Sequence, residues 1–168
     1  MGNIVDTLMP PLSAGELLVG YLAGGISRGI FVGVPILLLM MIGLGMSVAH
    51  PIWLLIFVVI GSALLGALGL MAAILANKFD QLAAITNFVI TPLSFLSGTF
   101  YSIHAVPQGM QVILRVNPIF YLIDGVRYGV LGVSDSSPWL GLVVSALSTG
   151  AVCFLVWRWL RLGYRLKS

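Results

Sequence analysis

Long apolar runs separated by short polar breaks dominate this chain. The longest uncharged run extends from Pro51 to Ala76 and is followed by a polar break from Asn77 to Gln81. A helix that crosses a membrane needs roughly 20 apolar residues, because the hydrocarbon core is about 30 Å thick and a helix rises about 1.5 Å per residue. The pattern therefore predicts an all-α, polytopic membrane protein whose helices face lipid.

Four runs of this kind predict four membrane spans within a single transmembrane domain over residues 1–168. The first run is longer than a membrane is thick, so we expect its part before Arg28 to begin at the interface. Arg28 then either snorkels or faces protein, and the deep part of the span follows from Gly29 to Val48. The predicted spans are residues 14–49, 52–76, 82–101 and 138–158.

Basic residues concentrate after the last run, in the predicted tail of residues 159–168 and directly before it. Arg158, Arg161, Arg165 and Lys167 form a basic flank, and such flanks mark the cytoplasmic side of a membrane protein. The C-terminus is therefore predicted to be cytoplasmic. With four spans, the N-terminus is predicted to be cytoplasmic as well.

Residues 103–133 contain short apolar pieces mixed with polar groups that a lipid-exposed span would not carry. We interpret them as a re-entrant pair of extracellular helices packed against protein. Asp124 and Arg127 are three residues apart on one predicted helix and can form an ion pair. The predicted structural residues are Pro107, Asn117, Pro118, Asp124 and Arg127.

The N-terminal residues 1–13 predict a short cytosolic helix that is separate from the first span. Pro10 and Pro11 prevent a continuous helix, and the Ser13-x-x-Glu16 spacing predicts a capping box at the start of the span. This segment is either an interfacial tail or a helix that docks onto a partner. Its apolar face comprises Ile4, Val5, Leu8 and Met9.

Small residues are spaced for close contact between helices. Gly25, Gly29 and Gly33 repeat at every fourth position of the first run, and Ser62 and Gly66 have the same spacing in the second. Such faces let helix backbones approach each other in membranes. The seam that they predict lies either within one subunit or between two copies.

The composition argues against enzymes and nucleic-acid binders. The chain is 60% hydrophobic and 8% charged, and its five acidic residues are scattered, so no catalytic, cofactor-binding or metal-binding residue is predicted. It also has no G-x-x-x-x-G-K-[ST] phosphate-binding loop and no ionisable group inside the later spans. If the chain moves a cargo uphill, we therefore expect a separate ATPase subunit to supply the energy.

Several motifs follow one another in a fixed order along the chain. They are Leu12-Ser13-x-x-Glu16-Leu17, Pro92-x-x-x-Leu96-Ser97-Gly98-x-Phe100, Val106-Pro107, Asn117-Pro118-x-x-Tyr121 and Asp124-Gly125-x-Arg127. In these ordered motifs the sequence resembles the type-2 ATP-binding-cassette exporter permeases, the membrane subunits of drug, polysaccharide and nodulation-factor exporters. The resemblance covers almost the whole chain, which is similar to the C-terminal two-thirds of a permease that normally has six spans.

The resemblance implies a permease subunit in a bacterial inner membrane. ATP and Mg would be bound by a nucleotide-binding partner, the cargo would be amphipathic, polysaccharide or drug-like, and a second permease chain would complete a homodimer. The alternative is a non-transporting scaffold or assembly subunit. The residues implied to couple to the ATPase are Ile4, Val5, Leu8, Met9, Pro10 and Glu16.

Overall fold

The computed structural model describes residues 12–76, 79–98 and 106–163, and every regular element in these ranges is a helix. The prediction of an all-α fold is therefore confirmed for the described residues. In chain order the elements are α1 (Ala14–Leu44), α2 (Pro51–Leu75), α3 (Phe79–Ile85), a π-helical turn (Thr86–Ile90), α4 (Thr91–Phe95), α5 (Gln108–Val116), α6 (Pro118–Leu131) and α7 (Pro138–Leu162).

Three of the described helices are long and apolar enough to cross a membrane. These are α1 with 31 residues, and α2 and α7 with 25 residues each. At about 1.5 Å per residue, even the two shorter helices exceed the roughly 30 Å hydrocarbon core. They correspond to the first, second and fourth predicted spans.

The ends of α1 and α7 correct the predicted boundaries. α1 is one continuous helix that stops at Leu44 instead of residue 49, because Gly45 adopts a left-handed conformation with φ 63° and ends it. α7 continues past residue 158 to Leu162 and ends in the same way at Gly163, with φ 64°. The first residues of the predicted tail are therefore helical, and residues 164–168 lie outside the described part.

The third predicted span, residues 82–101, differs most from its prediction. Helical structure begins earlier, at Phe79, and α3, the π-helical turn and α4 follow one another up to Phe95. Pro92 has no N–H to donate back along the helix, and the N–H of Thr91 bonds to the Thr86 carbonyl across a wider turn. This stretch is shorter than the other three candidates, so a fourth span is not confirmed, and residues 99–101 lie outside the described part.

Helix α2 lies at the centre of the bundle, in contact with α1, α6 and α7, and α6 also packs against α7. Phe57 and Leu64 of α2 form a buried cluster with Leu122 of α6. A second cluster joins Leu114 of α5 to aromatic residues of α6. The short helix α6 is thus part of the core. At 14 residues, or about 21 Å, it is too short to cross a membrane alone.

The glycine seam lies within the chain. A Cβ at Gly25 would stand 3.5 Å from the Gly66 Cα, and a Cβ at Gly29 would collide with the Ser62 side chain. The two small-residue stripes of α1 and α2 therefore face each other, which is the arrangement within one subunit. Gly33 has nothing within 4 Å and lies outside this close contact.

Candidate functional site

α1 ends, and α2 and α7 begin, at one end of the bundle, which we call the His50 end; the opposite end is the Ser13 end. Three of the buried polar side chains in the described part lie in or beside α6, whose last turn contacts the His50 end. Ser97, Asn117 and Asp124 come from three different parts of the chain. This convergence makes the surroundings of α6 the first candidate for a functional site.

Asn117 joins the end of α4 to the junction between α5 and α6. Its Oδ1 accepts the Ile119 N–H at 3.0 Å and so caps α6, where Pro118 occupies the first turn. Its Nδ2 donates to Ser97 Oγ at 2.6 Å and to the Leu93 carbonyl at 3.2 Å, and Ser97 Oγ in turn donates to the same carbonyl. One buried amide thus fixes the position of α6 against the third helical stretch.

Asp124 holds the loop between α6 and α7. Its side chain is nearly inaccessible, and Oδ1 accepts the Asp135 N–H at 2.8 Å. Oδ2 accepts both the N–H of Ser136 at 2.9 Å and its hydroxyl at 2.8 Å. A buried carboxylate needs this many donors, because its loss of hydration is otherwise uncompensated.

Arg127 connects the same loop to the turn after α4. Its Nη1 lies 3.1 Å from Asp135 Oδ2 and 3.6 Å from Asp124 Oδ1, and its Nη2 donates to the Gly98 carbonyl at 2.5 Å. Two carboxylates therefore share one guanidinium. We call this network the polar clamp; its members are Ser97, Gly98, Asn117, Asp124, Arg127, Asp135 and Ser136.

Sequence reasoning identified part of the clamp. The predicted pair of Asp124 and Arg127 is present, although Asp135 is the nearer carboxylate and was missed. The serine-rich approach to Pro138, with Asp135 inside it, is the signal that could have indicated a hydrogen-bonded loop. Pro107 precedes α5 in the N-cap position and makes no side-chain capping hydrogen bond. The re-entrant role assigned to these residues stays a prediction.

A backbone connection that the sequence did not indicate fixes the α1–α2 loop onto α6. The N–H groups of Ala49 and His50 donate to the Val130 and Gly129 carbonyls at 3.1 and 2.8 Å. These carbonyls belong to the last turn of α6, where helical partners run out. The His50 ring also stacks on Tyr128, with centroids 4.6 Å apart. Both neighbouring loops at this end are therefore fastened to α6.

At the Ser13 end the predicted capping box is confirmed. The Glu16 N–H donates to Ser13 Oγ at 3.3 Å, and the Ser13 N–H donates to Glu16 Oε2 at 2.7 Å. The box fixes the direction in which the chain enters α1. The other residues assigned to ATPase coupling lie outside the described part; they are Ile4, Val5, Leu8, Met9 and Pro10.

The π-helical turn carries a polar face in an otherwise apolar stretch. Thr86, Asn87 and Thr91 are exposed, and Thr91 Oγ1 donates to the Thr86 carbonyl at 3.1 Å. Polar side chains inside a membrane normally face protein or a water-filled cavity, and π-helical turns are frequent at functional sites. This face is the second candidate site. Within the described ranges, no three His, Cys, Asp or Glu residues form a group that could hold a metal.

Comparisons with known proteins identify relatives over nearly the whole chain. It is similar to the inner membrane transport permease YadH of Escherichia coli (strain K12), with 31% identity over 166 residues. It is also similar to nodulation protein J of Rhizobium leguminosarum bv. viciae, with 29% identity over 126 residues, which cover 74% of this chain and 48% of that protein. No solved structure matches the chain.

The match to YadH covers 99% of this chain and 65% of that protein, so the chain spans just under two thirds of the relative's length. The ABC-2 type transporter family matches residues 1–131. That range includes the π-helical turn and the polar clamp, except for Asp135 and Ser136 of the clamp. The chain therefore belongs to the ABC-2 type transporter family.

Proposed function

We propose that this chain is a membrane-spanning permease subunit of an ATP-driven exporter in a bacterial inner membrane. Membership of the ABC-2 type transporter family carries the proposal. The name of the YadH relative, an inner membrane transport permease, and the three apolar helices of spanning length support it. The proposed cargo is an amphipathic, polysaccharide or drug-like molecule.

The energy is proposed to come from a separate nucleotide-binding subunit that holds ATP and Mg. The sequence contains no phosphate-binding loop of its own, and the permease is assigned no enzymatic step. Movement must then reach the membrane through a contact with that subunit. The helix predicted over the N-terminal residues, which directly precedes the capped start of α1, is the proposed contact.

Helix α1 is suited to carry such movement along its length. It is continuous over 31 residues, its entry is fixed by Ser13 and Glu16, and it contacts α2 through the Gly25–Gly66 approach. A tilt imposed at Ser13 would therefore be passed to α2, and from α2 to α6. The polar clamp would hold the His50 end together during this movement.

The cargo route is proposed to follow the polar face of the π-helical turn. Asn87 is exposed there and makes no side-chain hydrogen bond within the described part of the chain. An exposed amide is costly in lipid, so we propose that this face lies against a second permease chain. The cargo route would then run between the two copies. The transport route and the homodimer are therefore one proposal.

The proposed topology makes a direct prediction. Reporter fusions at Ser168 and within residues 77–81 should be active as cytoplasmic fusions, whereas fusions near His50 and Gln108 should be active as periplasmic ones. The basic tail sets this orientation, because basic flanks remain on the cytoplasmic side. A periplasmic reporter at Ser168 would contradict the map. A periplasmic N-terminus would show an odd number of spans, either because residues 103–133 cross the membrane or because the third predicted span does not.

The coupling helix gives a test of the function itself. Replacing Leu8 with glutamate places a charge on the predicted apolar face, so recovery of the nucleotide-binding subunit with the permease should fall at least about tenfold. Membrane insertion should be unchanged. The measurement is co-purification after co-expression with a candidate nucleotide-binding subunit from the same genome, together with cargo-stimulated ATP hydrolysis.

The matched control is Thr7→Glu, which adds the same charge on the other side of the predicted helix and should leave recovery unchanged. Equal recovery and equal hydrolysis for Leu8→Glu and wild type would reject the coupling role and favour an interfacial anchor. Absence of any nucleotide-binding subunit from the wild-type complex would favour the non-transporting scaffold.

A further inference from the structure

Arg28 lies deep inside α1, the longest apolar helix. Its neighbour Gly29 faces Ser62, which is close to the middle of α2. Because α1 and α2 are both long enough to cross a membrane, the Arg28 backbone lies within the apolar part of the bundle. A charged side chain at this depth is costly and almost always pairs with another group.

The described acidic side chains do not provide that partner. Glu16 is engaged by Ser13 at the start of α1, and the two carboxylates of the polar clamp are engaged at the His50 end. Asp80 is exposed in the first turn of α3. The fifth acidic residue, Asp6, lies outside the described part. Within that part Arg28 is exposed and forms no ion pair, which leaves its charge open to an anion from elsewhere.

The surface of α1 next to Arg28 is shaped to receive one. Long side chains in helices lean toward the helix N-terminus, over the residues three, four, seven and eight positions before them. For Arg28 these residues are Gly25, Gly24, Tyr21 and Gly20. The three glycines leave a cleft of about 510 Å³ that runs from Leu12 to Arg28. The guanidinium can therefore lie along the helix toward the Ser13 end.

We propose that this cleft binds the phosphate group of a membrane lipid, with Arg28 as the principal contact. A guanidinium presents a fork of donors that matches phosphate, and Arg28 lines the cleft. The cleft opens toward the Ser13 end, where α1 leaves the membrane and lipid headgroups lie. Its remaining walls are mostly apolar and suit the glycerol and upper acyl carbons.

Glu16 is the one negative group that lines the cleft, and it does not oppose this binding strongly. Its carboxylate accepts the Ser13 N–H at 2.7 Å and is held at the mouth of the cleft. Twelve residues of helix, about 18 Å, separate its backbone from that of Arg28. Glu16 is exposed at that mouth, so water weakens its repulsion of a phosphate held beside Arg28.

The test uses the purified, delipidated chain and native mass spectrometry. It is titrated with dioleoyl phosphatidylglycerol, with dioleoylglycerol, which lacks the phosphate, and with glycerol 3-phosphate, which lacks the acyl chains. We expect a saturable adduct with phosphatidylglycerol alone. Arg28→Gln should weaken it about tenfold or more, as loss of a hydrogen bond to a charged group predicts. Arg28→Lys should weaken it less, since it keeps the charge but loses the fork.

Two matched controls separate the site from general effects. Arg115→Gln removes an exposed arginine from α5 and should leave lipid binding unchanged. Gly24→Leu fills the cleft while keeping Arg28 and should abolish the adduct, whereas Gly150→Leu on α7 should not. Both glycines have nothing within 4 Å, so neither leucine is expected to disturb folding.

Several results would overturn the proposal. Equal phosphatidylglycerol binding by Arg28→Gln and wild type would reject it, and so would equal binding by Gly24→Leu. If Arg28→Gln dissociated oligomers and left lipid binding unchanged, the partner of Arg28 would be a carboxylate on a helix of another copy. If wild type bound no phosphatidylglycerol and Asp6→Asn did bind it, Asp6 would be the partner of Arg28. The readout is lipid binding, so its outcome is independent of transport activity.

Discussion

Replacing Asp124 with alanine is expected to lower the free energy of unfolding by about 3–5 kcal/mol, the range for removing one partner of a buried charge network. The variant leaves two backbone N–H groups and the Ser136 hydroxyl without their acceptor. It also leaves Arg127 with Asp135 as its remaining carboxylate. Thermal unfolding in detergent micelles, followed by circular dichroism, and resistance to protease measure the loss.

A matched control is Asp80→Ala, which removes an exposed carboxylate at the other end of the bundle and should change stability little. Arg127→Ala should cost less than Asp124→Ala, because Asp124 keeps its three loop donors. A double-mutant cycle should find stronger coupling of Arg127 to Asp135, at 3.1 Å, than to Asp124, at 3.6 Å. Wild-type stability of Asp124→Ala would show that the buried carboxylate has no structural role.

What could be predicted from the sequence is what depends on local pattern. The uncharged run from Pro51 predicted both ends of α2 to within one residue. A backbone in lipid must satisfy its own hydrogen bonds, and a helix does so between residues that are close in sequence. The Ser13–Glu16 capping box and the Asp124–Arg127 proximity were also predictable, because each depends on a separation of three residues. These features need no knowledge of the rest of the fold.

What could not be predicted depends on residues far apart in the chain. Asn117 and Ser97 are 20 positions apart, and Arg127 and Gly98 are 29 apart, so no periodicity links them. The third predicted span shows a different limit. Its hydropathy indicated one helix, but Pro92 removes a backbone donor in the middle of it, and the π-helical turn forms beside that gap. A hydropathy profile contains no information about the backbone N–H that Pro92 lacks.

Replacing Gly129 with valine is expected to destabilise the bundle by about 3 kcal/mol, the upper end of the usual cost of overpacking. A Cβ at this position would lie 2.7 Å from both Cα and Cβ of Leu54, on the adjoining face of α2. Backbone atoms of a packed helix cannot rotate aside as a flexible side chain can. Helix α6 would have to move away from α2, and thermal unfolding in micelles would report the loss.

The matched control is Gly150→Val in α7, where nothing lies within 4 Å and little change is expected. The displacement at Gly129 should also break the hydrogen bond from His50 to the Gly129 carbonyl, so amide exchange at His50 should accelerate in the Gly129 variant alone. Equal stability of the two variants would mean that α6 does not lie against α2 at this distance. In that case the close approach of Gly129 to Leu54 would not be what links α2 to α6, and the Phe57–Leu64–Leu122 cluster would carry that contact alone.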